Sequence, residues 1–435
     1  MKGSIEFSSA GVEKATSRRI APASDKREVT RSNYAIGDVA RTIDKTMSFG
    51  IYISLPFCRT KCSYCNFASD VFSRAVFERY LDRVCRDLEQ AERTAGQMGG
   101  RFERAADSLY LGGGTPTVLA GRELERVFSA VRRNFDVSPE VEITVECAPG
   151  TLRGEVLETL LRCEVNRVSL GVQSFVDQEA AAVGRLHTRT TVLDDIARLR
   201  AAGISNINVD LIAGLPHQTA GSWETSLAEA IATGVPHVSV YMLEVDEDSR
   251  LGRELIAGGA KYHAHFVPDE ELTADLYEAA CERLNAAGIV QYEISNFARA
   301  GFESRHNLKY WTRQPYLGFG LDAHSMLASD GGEAVRFSTP DSLEKYCSGG
   351  KSKRVVVMRQ DALEESFFLG LRLTRGIDLE SVTEEFGSLE AAACVVDEMV
   401  AAGLMAREGR FARLTPRGRL LSNEVFERFL GKAAG

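Results

Sequence analysis

The stretch IYISLPFCRTKCSYCNF, residues 51–67, places three cysteines directly after a run of residues that is typical of a β-strand. Cys58, Cys62 and Cys65 follow the spacing C-x3-C-x2-C on one short loop. A structural zinc site takes four ligands, whereas a four-iron cluster held by three thiolates keeps one iron open for a further ligand. We therefore predict a 4Fe-4S cluster on this loop. A zinc site completed by a distant histidine and oxidisable surface thiols are the alternatives.

The composition indicates a globular protein of a reducing compartment. The chain has 435 residues, of which 44% are hydrophobic, and its formal net charge is -9. This charge gives no reason to expect a nucleic-acid partner, because such binding depends on clustered Lys and Arg. The 9 cysteines contain one tight cluster and do not resemble a disulfide framework. No run of about 18 apolar residues is present, so we expect a cytoplasmic protein without a membrane span.

Two terminal segments differ from the middle of the chain. Residues 1–46 are polar and rich in Ser and Arg, but their acidic residues argue against a transit peptide, so we expect a disordered extension. Residues 356–435 no longer follow the pattern of the preceding chain and contain three helical stretches and two short strands. This arrangement predicts a small winged-helix-like α+β domain. Its helices carry many glutamates, so we expect it to pack or contact a partner rather than bind DNA.

Residues 47–290 alternate between short β-branched runs and amphipathic helical stretches, the pattern of repeated βα units around a parallel sheet. The predicted strands are residues 51–55, 108–111, 141–147, 167–172, 206–212 and 237–243. Six such units favour a partial TIM-type (βα)6 barrel, and an open doubly wound sheet is the alternative. Residues 291–355 are short aromatic-rich segments that we expect to extend the sheet or cover the barrel mouth.

Polar residues follow successive predicted strands near their carboxyl ends. Glu146 lies near the end of the third strand, Gln173 follows the fourth, and Asp210 lies in the fifth. Arg185 comes in the connection after the fourth strand. Both candidate folds bind ligands at the carboxyl ends of parallel strands, so these side chains are expected to share one site with the cysteines.

The motif CRTKCSYC followed by GGGTPT resembles the radical S-adenosylmethionine (SAM) superfamily. The blocks YISLPFC, LYLGGGTPT, ITVECAPG, NRVSLGVQSF, NVDLIAGLP and YEISNFA are similar to the relatives of oxygen-independent coproporphyrinogen III oxidase, from about residue 48 to the C-terminus. The resemblance implies a radical SAM barrel in which SAM binds the open iron of the cluster. It also implies a set of residues that contact SAM: Tyr52, Tyr64, Gly113, Gly114, Thr115, Glu146, Gln173, Arg185 and Asp210.

Oxidases of this family typically carry a fourth cysteine two positions after the third, and here that position is Phe67. Together with RHNLKYW and the C-terminal segment, this residue makes the chain resemble the HemW-type branch, the haem chaperones. The resemblance implies haem as a further ligand. Because imidazole is a competent axial ligand for haem iron, His306 is the candidate, and a purely structural role in the lid is the alternative.

The resemblance therefore implies a protein that carries haem to an acceptor, with a respiratory haem protein as the expected acceptor. That acceptor can be membrane-associated although this chain is not itself a membrane protein. A reductant such as flavodoxin or ferredoxin is implied for the cluster. A methyltransferase or other tailoring enzyme of the same superfamily is the second interpretation, and the coproporphyrinogen oxidase is the third because of Phe67.

Overall fold

The structure is a computed structural model that describes residues 48–431. The chain from residue 48 onward forms one compact unit. The extension predicted for residues 1–46 lies outside the described residues. The strands of the described part are β1 (Phe49–Leu55), β2 (Ala105–Gly113), β3 (Asp136–Cys147), β4 (Arg167–Gln173), β5 (Asn206–Ala213), β6 (His237–Met242), β7 (Val290–Glu293), β8 (Asn296–Ala298), β9 (Tyr316–Phe319), β10 (His324–Ala328), β11 (Ala334–Ser338), β12 (Lys353–Val357), β13 (Ile377–Asp378), β14 (Met405–Glu408) and β15 (Phe411–Leu414).

The helices of the described part cover the outside of the sheet and build the C-terminal domain. They are α1 (Arg74–Glu89), α2 (Ala91–Met98), α3 (Gly121–Asn134), α4 (Gly154–Arg162), α5 (Asp177–Ala182), α6 (Arg189–Ala201), α7 (Ala220–Ala232), α8 (Arg250–Ala257), α9 (Glu270–Ala286), α10 (Arg305–Trp311), α11 (Leu343–Cys347), α12 (Arg359–Gly370), α13 (Leu379–Phe386), α14 (Glu390–Ala401), α15 (Pro416–Leu420) and α16 (Ser422–Glu427), with 3₁₀ turns at Pro116–Val118 and Ala264–Phe266. Among these helices, none is both long and apolar enough to cross a bilayer.

Strands β1 to β6 lie side by side in chain order, and every neighbouring pair is parallel. In a doubly wound sheet the strand order reverses at a switch point, which does not happen here. The predicted (βα)6 barrel is therefore confirmed. Each of the six strands was predicted within a few residues of its position, although β3 begins earlier than its apolar pattern suggested.

Strands β7 to β12 extend the same twelve-stranded sheet at both ends. Strand β9 pairs with β1 in parallel, and β8 pairs with β6 in the antiparallel sense. The segment after residue 290 therefore adds strands to both edges of the barrel sheet. Residues 291–355 remain a proposed separate segment of the chain, although their strands belong to the same sheet as the barrel strands.

The two faces of the barrel strands differ in polarity. Residues such as Ile53, Leu111 and Val145 point outward and are fully buried against the helices. The alternate residues point into the barrel, and many of them are polar, for example Ser169 and Asn208. Successive side chains of a strand point to opposite faces, so one apolar and one polar face result from a strict two-residue repeat. The barrel interior, called the chamber below, is thus lined by polar side chains and is not a second apolar core.

The C-terminal segment forms a small α+β domain with its own core, as predicted. Its three strands have the order β13-β15-β14, and helices α12 to α16 surround them. Phe367 and Phe429 stack at the centre with ring centroids 4.6 Å apart. The backbone N–H groups of Ile294 and Thr374 join the domain to the barrel through the carbonyls of Arg372 and Tyr292.

The hydroxyl of Tyr80 joins helix α1 to the barrel, which generates a stability prediction. It donates to the carbonyl of Ser54 at 2.6 Å and accepts from the backbone N–H of Leu321 at 2.7 Å. We expect Tyr80→Phe to lower the free energy of unfolding by about 1–3 kcal/mol, because both buried backbone groups lose their partner. Urea unfolding of the cluster-free protein measures the change. The control Tyr262→Phe removes a half-buried hydroxyl, and an equal loss in both variants would contradict the assignment.

Candidate functional site

The three cysteines lie on the loop after β1, at the carboxyl end of the barrel strands. All three are free thiols, and Cys62 is buried while Cys58 and Cys65 are partly exposed. The backbone N–H of Cys58 bonds to the carbonyl of Asp70 at 3.1 Å, which closes the loop on itself. Burial raises the pKa of the Cys58 thiol. The loop therefore brings three thiols together on one short turn.

Contacts from two other connections hold this loop in place. The backbone N–H of Ser63 donates to the carbonyl of Val183, and the hydroxyl of Thr60 donates to the carbonyl of Gly184. The backbone N–H of Leu251 donates to the carbonyl of Ser63 from the start of α8. Inside the loop, the ammonium of Lys61 bonds to two backbone carbonyls. The position of the cysteines thus depends on the connections after β4 and β6 as well as on β1.

The arrangement of the thiols fits a cluster better than a single metal ion. Within residues 48–431, no three side chains of His, Cys, Asp or Glu converge tightly enough to hold one metal ion. A four-iron cluster needs no such convergence, because each thiolate binds a different iron. The guanidinium of Arg185 also donates to the sulfur of Cys62 at 3.5 Å, the kind of hydrogen bond that tunes cluster potentials.

The glycines after β2 are required by the packing of the chain itself. A Cβ at Gly114 would lie 2.7 Å from the carbonyl oxygen of Leu55 and 2.8 Å from the backbone of Phe57. A Cβ at Gly112 would lie 2.8 Å from the carboxylate of Glu146, and Gly113 has a φ of +94°. The sequence motif indicated a close approach of backbone to ligand, and the structure adds a close approach to β1 and β3.

Glu146 lies at the carboxyl end of β3 and faces into the barrel mouth. Its carboxylate accepts hydrogen bonds from the hydroxyl of Tyr110 at 2.9 Å and from the backbone N–H of Gly113 at 3.1 Å. Burial raises the pKa of the Glu146 carboxyl. It is a fixed acceptor of the kind that a pair of ribose hydroxyls requires. An acceptor at this position therefore fits the ribose of SAM.

Arg185, Gln173 and Asp210 lie at the carboxyl ends of the next strands, β4 and β5, beside Glu146. Arg185 donates to the carbonyl of Gly171 as well as to Cys62, while its Nε has no hydrogen-bond partner. Asp210 accepts from Ser169 at 3.1 Å, and Gln173 has a φ of +69° at a register shift between β4 and β5. A buried donor without a partner at the mouth fits an additional anionic ligand group.

The remaining predicted contacts also lie around this mouth. Tyr52 on β1 faces the interior beside Tyr110, with ring centroids 6.1 Å apart. Tyr64 lies on the cysteine loop, where burial raises the pKa of its hydroxyl. The backbone N–H of Thr115 donates to the carbonyl of Phe57 at 2.7 Å. The structure therefore brings the cysteines and the predicted SAM contacts together at one end of the barrel.

His306 lies elsewhere, on α10 at the other end of the chamber. Its side chain is 1% exposed, and both ring nitrogens are hydrogen-bonded. Nδ1 lies 3.0 Å from the hydroxyl of Ser108, and Nε2 lies 2.9 Å from the hydroxyl of Tyr310. Burial, followed by the charges of Lys309 and Arg167, lowers the pKa of His306 to about 3. Iron ligation at His306 therefore requires that one of these hydrogen bonds breaks.

A histidine pair occupies the rim of the barrel mouth. Nε2 of His217 lies 3.1 Å from Nδ1 of His263, and the ring of Phe266 packs against His217 with centroids 4.1 Å apart. His263 is partly exposed and His265 is exposed. The alternation of histidines in KYHAHF was visible in the sequence, but the contact with His217 was not.

Sequence reasoning missed the polar residues that line the chamber below the mouth. Asn208 is the centre of a buried network in which its amide donates to Ser169, Asp210 and Ser239, and its carbonyl bonds to the ring of His237 at 2.6 Å. The signal was present, because RVSLGVQ, NINVDLIA and HVSVYM alternate polar and apolar residues. We used these runs only to locate strands and did not use their alternation.

Protein-family models match two separate segments of the chain. The radical SAM superfamily model matches residues 52–230, and the HemN C-terminal domain model matches residues 357–421. The first segment contains the cysteine loop and strands β2 to β5, and the second contains most of the small C-terminal domain.

Relatives with a curated description match almost the whole described chain. The "Heme chaperone HemW" of Bacillus subtilis is 34% identical over 387 residues, which are 88% of this chain and 99% of that protein. The "Heme chaperone HemW" of Lactococcus lactis is 32% identical over 385 residues, 87% of this chain and 96% of that protein. Among solved structures, coproporphyrinogen III oxidase (HemN) from Escherichia coli has a TM-score of 0.76 at 22% identity, covering 88% of this chain and 90% of its own, which shows a shared fold.

Replacing the loop cysteines tests the assignment of the cluster ligands. We expect Cys58→Ala, Cys62→Ala and Cys65→Ala each to lose most of the iron and sulfide that the wild type retains after anaerobic reconstitution. Each variant leaves one iron of the cluster without its thiolate. Iron and sulfide analysis with the visible absorption spectrum measures the loss. The control Cys394→Ala removes an exposed thiol, and wild-type iron content in a loop variant would refute its ligand.

Proposed function

The chain belongs to the HemW-type family of the radical SAM superfamily, and from that premise we propose that it is a haem chaperone. It would bind a 4Fe-4S cluster, SAM and haem, and it would transfer haem to an acceptor protein. Family membership confirms the resemblance inferred from the motifs. The observation that carries the proposal is that relatives named as haem chaperones match the chain over nearly their whole length, including the C-terminal domain.

Phe67 supports the chaperone over the oxidase. It lies two positions after Cys65, where the oxidases typically carry a fourth thiol. Its carbonyl accepts from the ammonium of Lys61 at 3.3 Å, so the backbone here helps to hold the cysteine loop. A phenyl ring supplies no sulfur ligand or proton donor, and the site lacks that part of the oxidase pattern.

Each residue at the mouth has a proposed role toward the cofactors. The thiolates of the cysteine loop hold three irons, and the remaining iron is open to SAM. Arg185 donates to Cys62 and presents its unpaired Nε to an anionic group. Glu146, held by Tyr110 and Gly113, accepts from hydroxyl groups. When bound, the reduced cluster and SAM together supply radical chemistry.

The haem acceptor proposed for this chain is a respiratory haem protein, either soluble or membrane-associated. A cytoplasmic flavodoxin or ferredoxin is the proposed reductant for the cluster. His306 is kept as the proposed haem ligand, with the condition that Tyr310 or Ser108 releases its ring nitrogen. Release by Tyr310 requires the smaller rearrangement, because Tyr310 and His306 lie four positions apart on the same short helix α10.

A radical SAM enzyme is the second candidate, and the polar chamber favours it. A network centred on Asn208 and Asp210 lies directly below the mouth and offers several directed hydrogen bonds to a substrate. Such an enzyme would form 5'-deoxyadenosine only when its substrate is present. Incubation of the reconstituted protein with SAM, reductant and haem discriminates the two: substrate-dependent 5'-deoxyadenosine favours the enzyme, and its absence with haem release to an acceptor favours the chaperone.

Glu146 gives a pH prediction for SAM binding. Burial raises the pKa of its carboxyl, so the carboxylate form is lost at a higher pH than for an exposed glutamate. We expect SAM affinity, measured by equilibrium dialysis, to fall as the pH is lowered from neutral through that raised pKa. Glu146→Gln should bind SAM about tenfold or more weakly at neutral pH, and its affinity should no longer fall as the pH is lowered. If the affinity of this variant still falls at low pH, the pH dependence belongs to another group.

Haem titration tests both the chaperone proposal and its ligand. We expect the anaerobically reconstituted wild type to retain about one haem per chain through gel filtration, as a ligand coordinated by a protein side chain should. His306→Gln should lose most of it and shift the absorption spectrum of the remainder. His324→Gln, at an exposed site on β10, is the matched control. No haem retention in the wild type would contradict the chaperone, whereas full retention by His306→Gln would contradict only the ligand.

A further inference from the structure

Arg167 is a buried arginine inside the barrel chamber. It begins strand β4 and is 2% exposed, and the polar side of the strand faces inward. Its Nε has no hydrogen-bond partner, and no carboxylate of the described residues forms an ion pair with its guanidinium. Buried charges in proteins are normally paired, because removing an ion from water costs several kcal/mol. An arginine cannot avoid this cost by losing its proton.

The neighbours of Arg167 in the sheet also carry buried polar atoms that have no hydrogen-bond partner. Thr144 on β3 and Asn206 on β5 are its direct register partners on either side. The Oγ1 atom of Thr144 and the Oδ1 atom of Asn206 are also buried without a hydrogen-bond partner. We call Thr144, Arg167 and Asn206 the basal row. Three adjacent inward side chains with unsatisfied polar atoms indicate a place that another molecule fills.

The groups around the basal row supply no counter-ion. Glu142 and Glu146 each lie two residues from Thr144 on β3, and both carboxylates accept hydrogen bonds from other groups: Glu142 from the backbone N–H groups of Arg305 and His306, and Glu146 from Tyr110 and Gly113. Burial, and then the charge of Arg167, lowers the pKa of His237 well below its ordinary value. Burial and nearby cations likewise lower the pKa of His306. Neither histidine carries a negative charge, so neither is a counter-ion for Arg167.

The position of the basal row suits a ligand that enters from the mouth. Thr144 lies two residues before Glu146 on the same strand, which places it about 7 Å deeper in the barrel. Arg167 lies six residues before Gln173, which places the start of β4 about 20 Å from the carboxyl end of the strand. A carboxylate side arm spans only a few ångströms, so the basal row suits a ligand whose ring enters the barrel interior rather than one that stays at the mouth.

We propose that the basal row binds an organic carboxylate, with the Arg167 guanidinium as the anion-binding group and the Thr144 hydroxyl as a second donor. The identity of this carboxylate as a propionate side chain of a tetrapyrrole rests on the haem chaperone proposal. Guanidinium and carboxylate match in geometry, so one arginine can bind both oxygens of the group. The amide of Asn206 presents its N–H₂ to the same carboxylate after rotation about its terminal bond.

The first test needs no haem. Arg167→Met replaces the unpaired charge with an apolar side chain of similar length, so the ligand-free protein should unfold at the same or a higher urea concentration. The control Arg313→Met removes a partly buried arginine that does have partners, Glu365 and Glu385, and it should unfold at a clearly lower concentration. A loss at Arg167→Met as large as the control would mean that Arg167 is paired within the protein, and would overturn the proposal.

The second test varies the carboxylate on the ligand. The reconstituted wild type is titrated with haem and with haem dimethyl ester, which has the same ring and iron but no free carboxylate. We expect haem to bind about tenfold to a hundredfold more tightly than the ester. Arg167→Met should bind haem as weakly as the wild type binds the ester, and its affinity for the ester should be unchanged. Arg167→Lys, which keeps the charge but not the paired donors, should fall between them.

The outcomes separate this inference from the proposed function. If the wild type binds haem and its ester equally, the carboxylate site is overturned and the chaperone proposal stands. If the wild type binds neither, the chaperone proposal fails, and sodium propionate then serves as the probe. It should raise the urea midpoint of the wild type relative to sodium chloride at equal ionic strength and leave Arg167→Met unchanged. No difference between the two salts would overturn the carboxylate site as well.

Discussion

The two-residue repeat of side-chain direction along six parallel strands is the constraint on which the rest of the structure depends. One set of residues points to the helices and is apolar, which supplies the hydrophobic stabilisation of the barrel. The other set points inward and can be polar without loss of that stabilisation. Because the outer face alone secures the fold, the inner face is free to carry hydrogen-bonded polar pairs, such as Tyr110 with Glu146 and Asn208 with Asp210.

The mouth and the base of this chamber have different structural roles. At the mouth, the cysteine loop is held by hydrogen bonds to the connections after β4 and β6, so the protein itself positions its sulfurs. At the base, α10 inserts His306 between Ser108 and Tyr310 and closes the chamber with satisfied hydrogen bonds. Inside the barrel, the basal row carries three buried polar atoms that have no hydrogen-bond partner. These three atoms are the observation from which we propose a carboxylate site there.

The histidine pair at the rim adds a second kind of group to the mouth. His263 presents its ring beside His217, and Phe266 packs against the pair. A metal-bound histidine usually has its other ring nitrogen hydrogen-bonded, which orients the ring. His306 is oriented in the same sense, but it is buried and uses both nitrogens within the protein. The difference in accessibility follows from the elements that carry them, a surface turn in one case and a helix packed across the base in the other.

The sequence by itself determined the class of fold and the cysteine site, because both depend on local patterns. Six β-branched runs separated by amphipathic helices require parallel strands, and C-x3-C-x2-C places three thiols on one turn whatever surrounds it. Strand order and the use of the inner face were decided only by the tertiary structure, since register brings Thr144, Arg167 and Asn206 together from distant parts of the chain. The burial of His306 was likewise invisible in RHNLKYW. A helix of seven residues does not show which of its faces packs until the strands beneath it are in place.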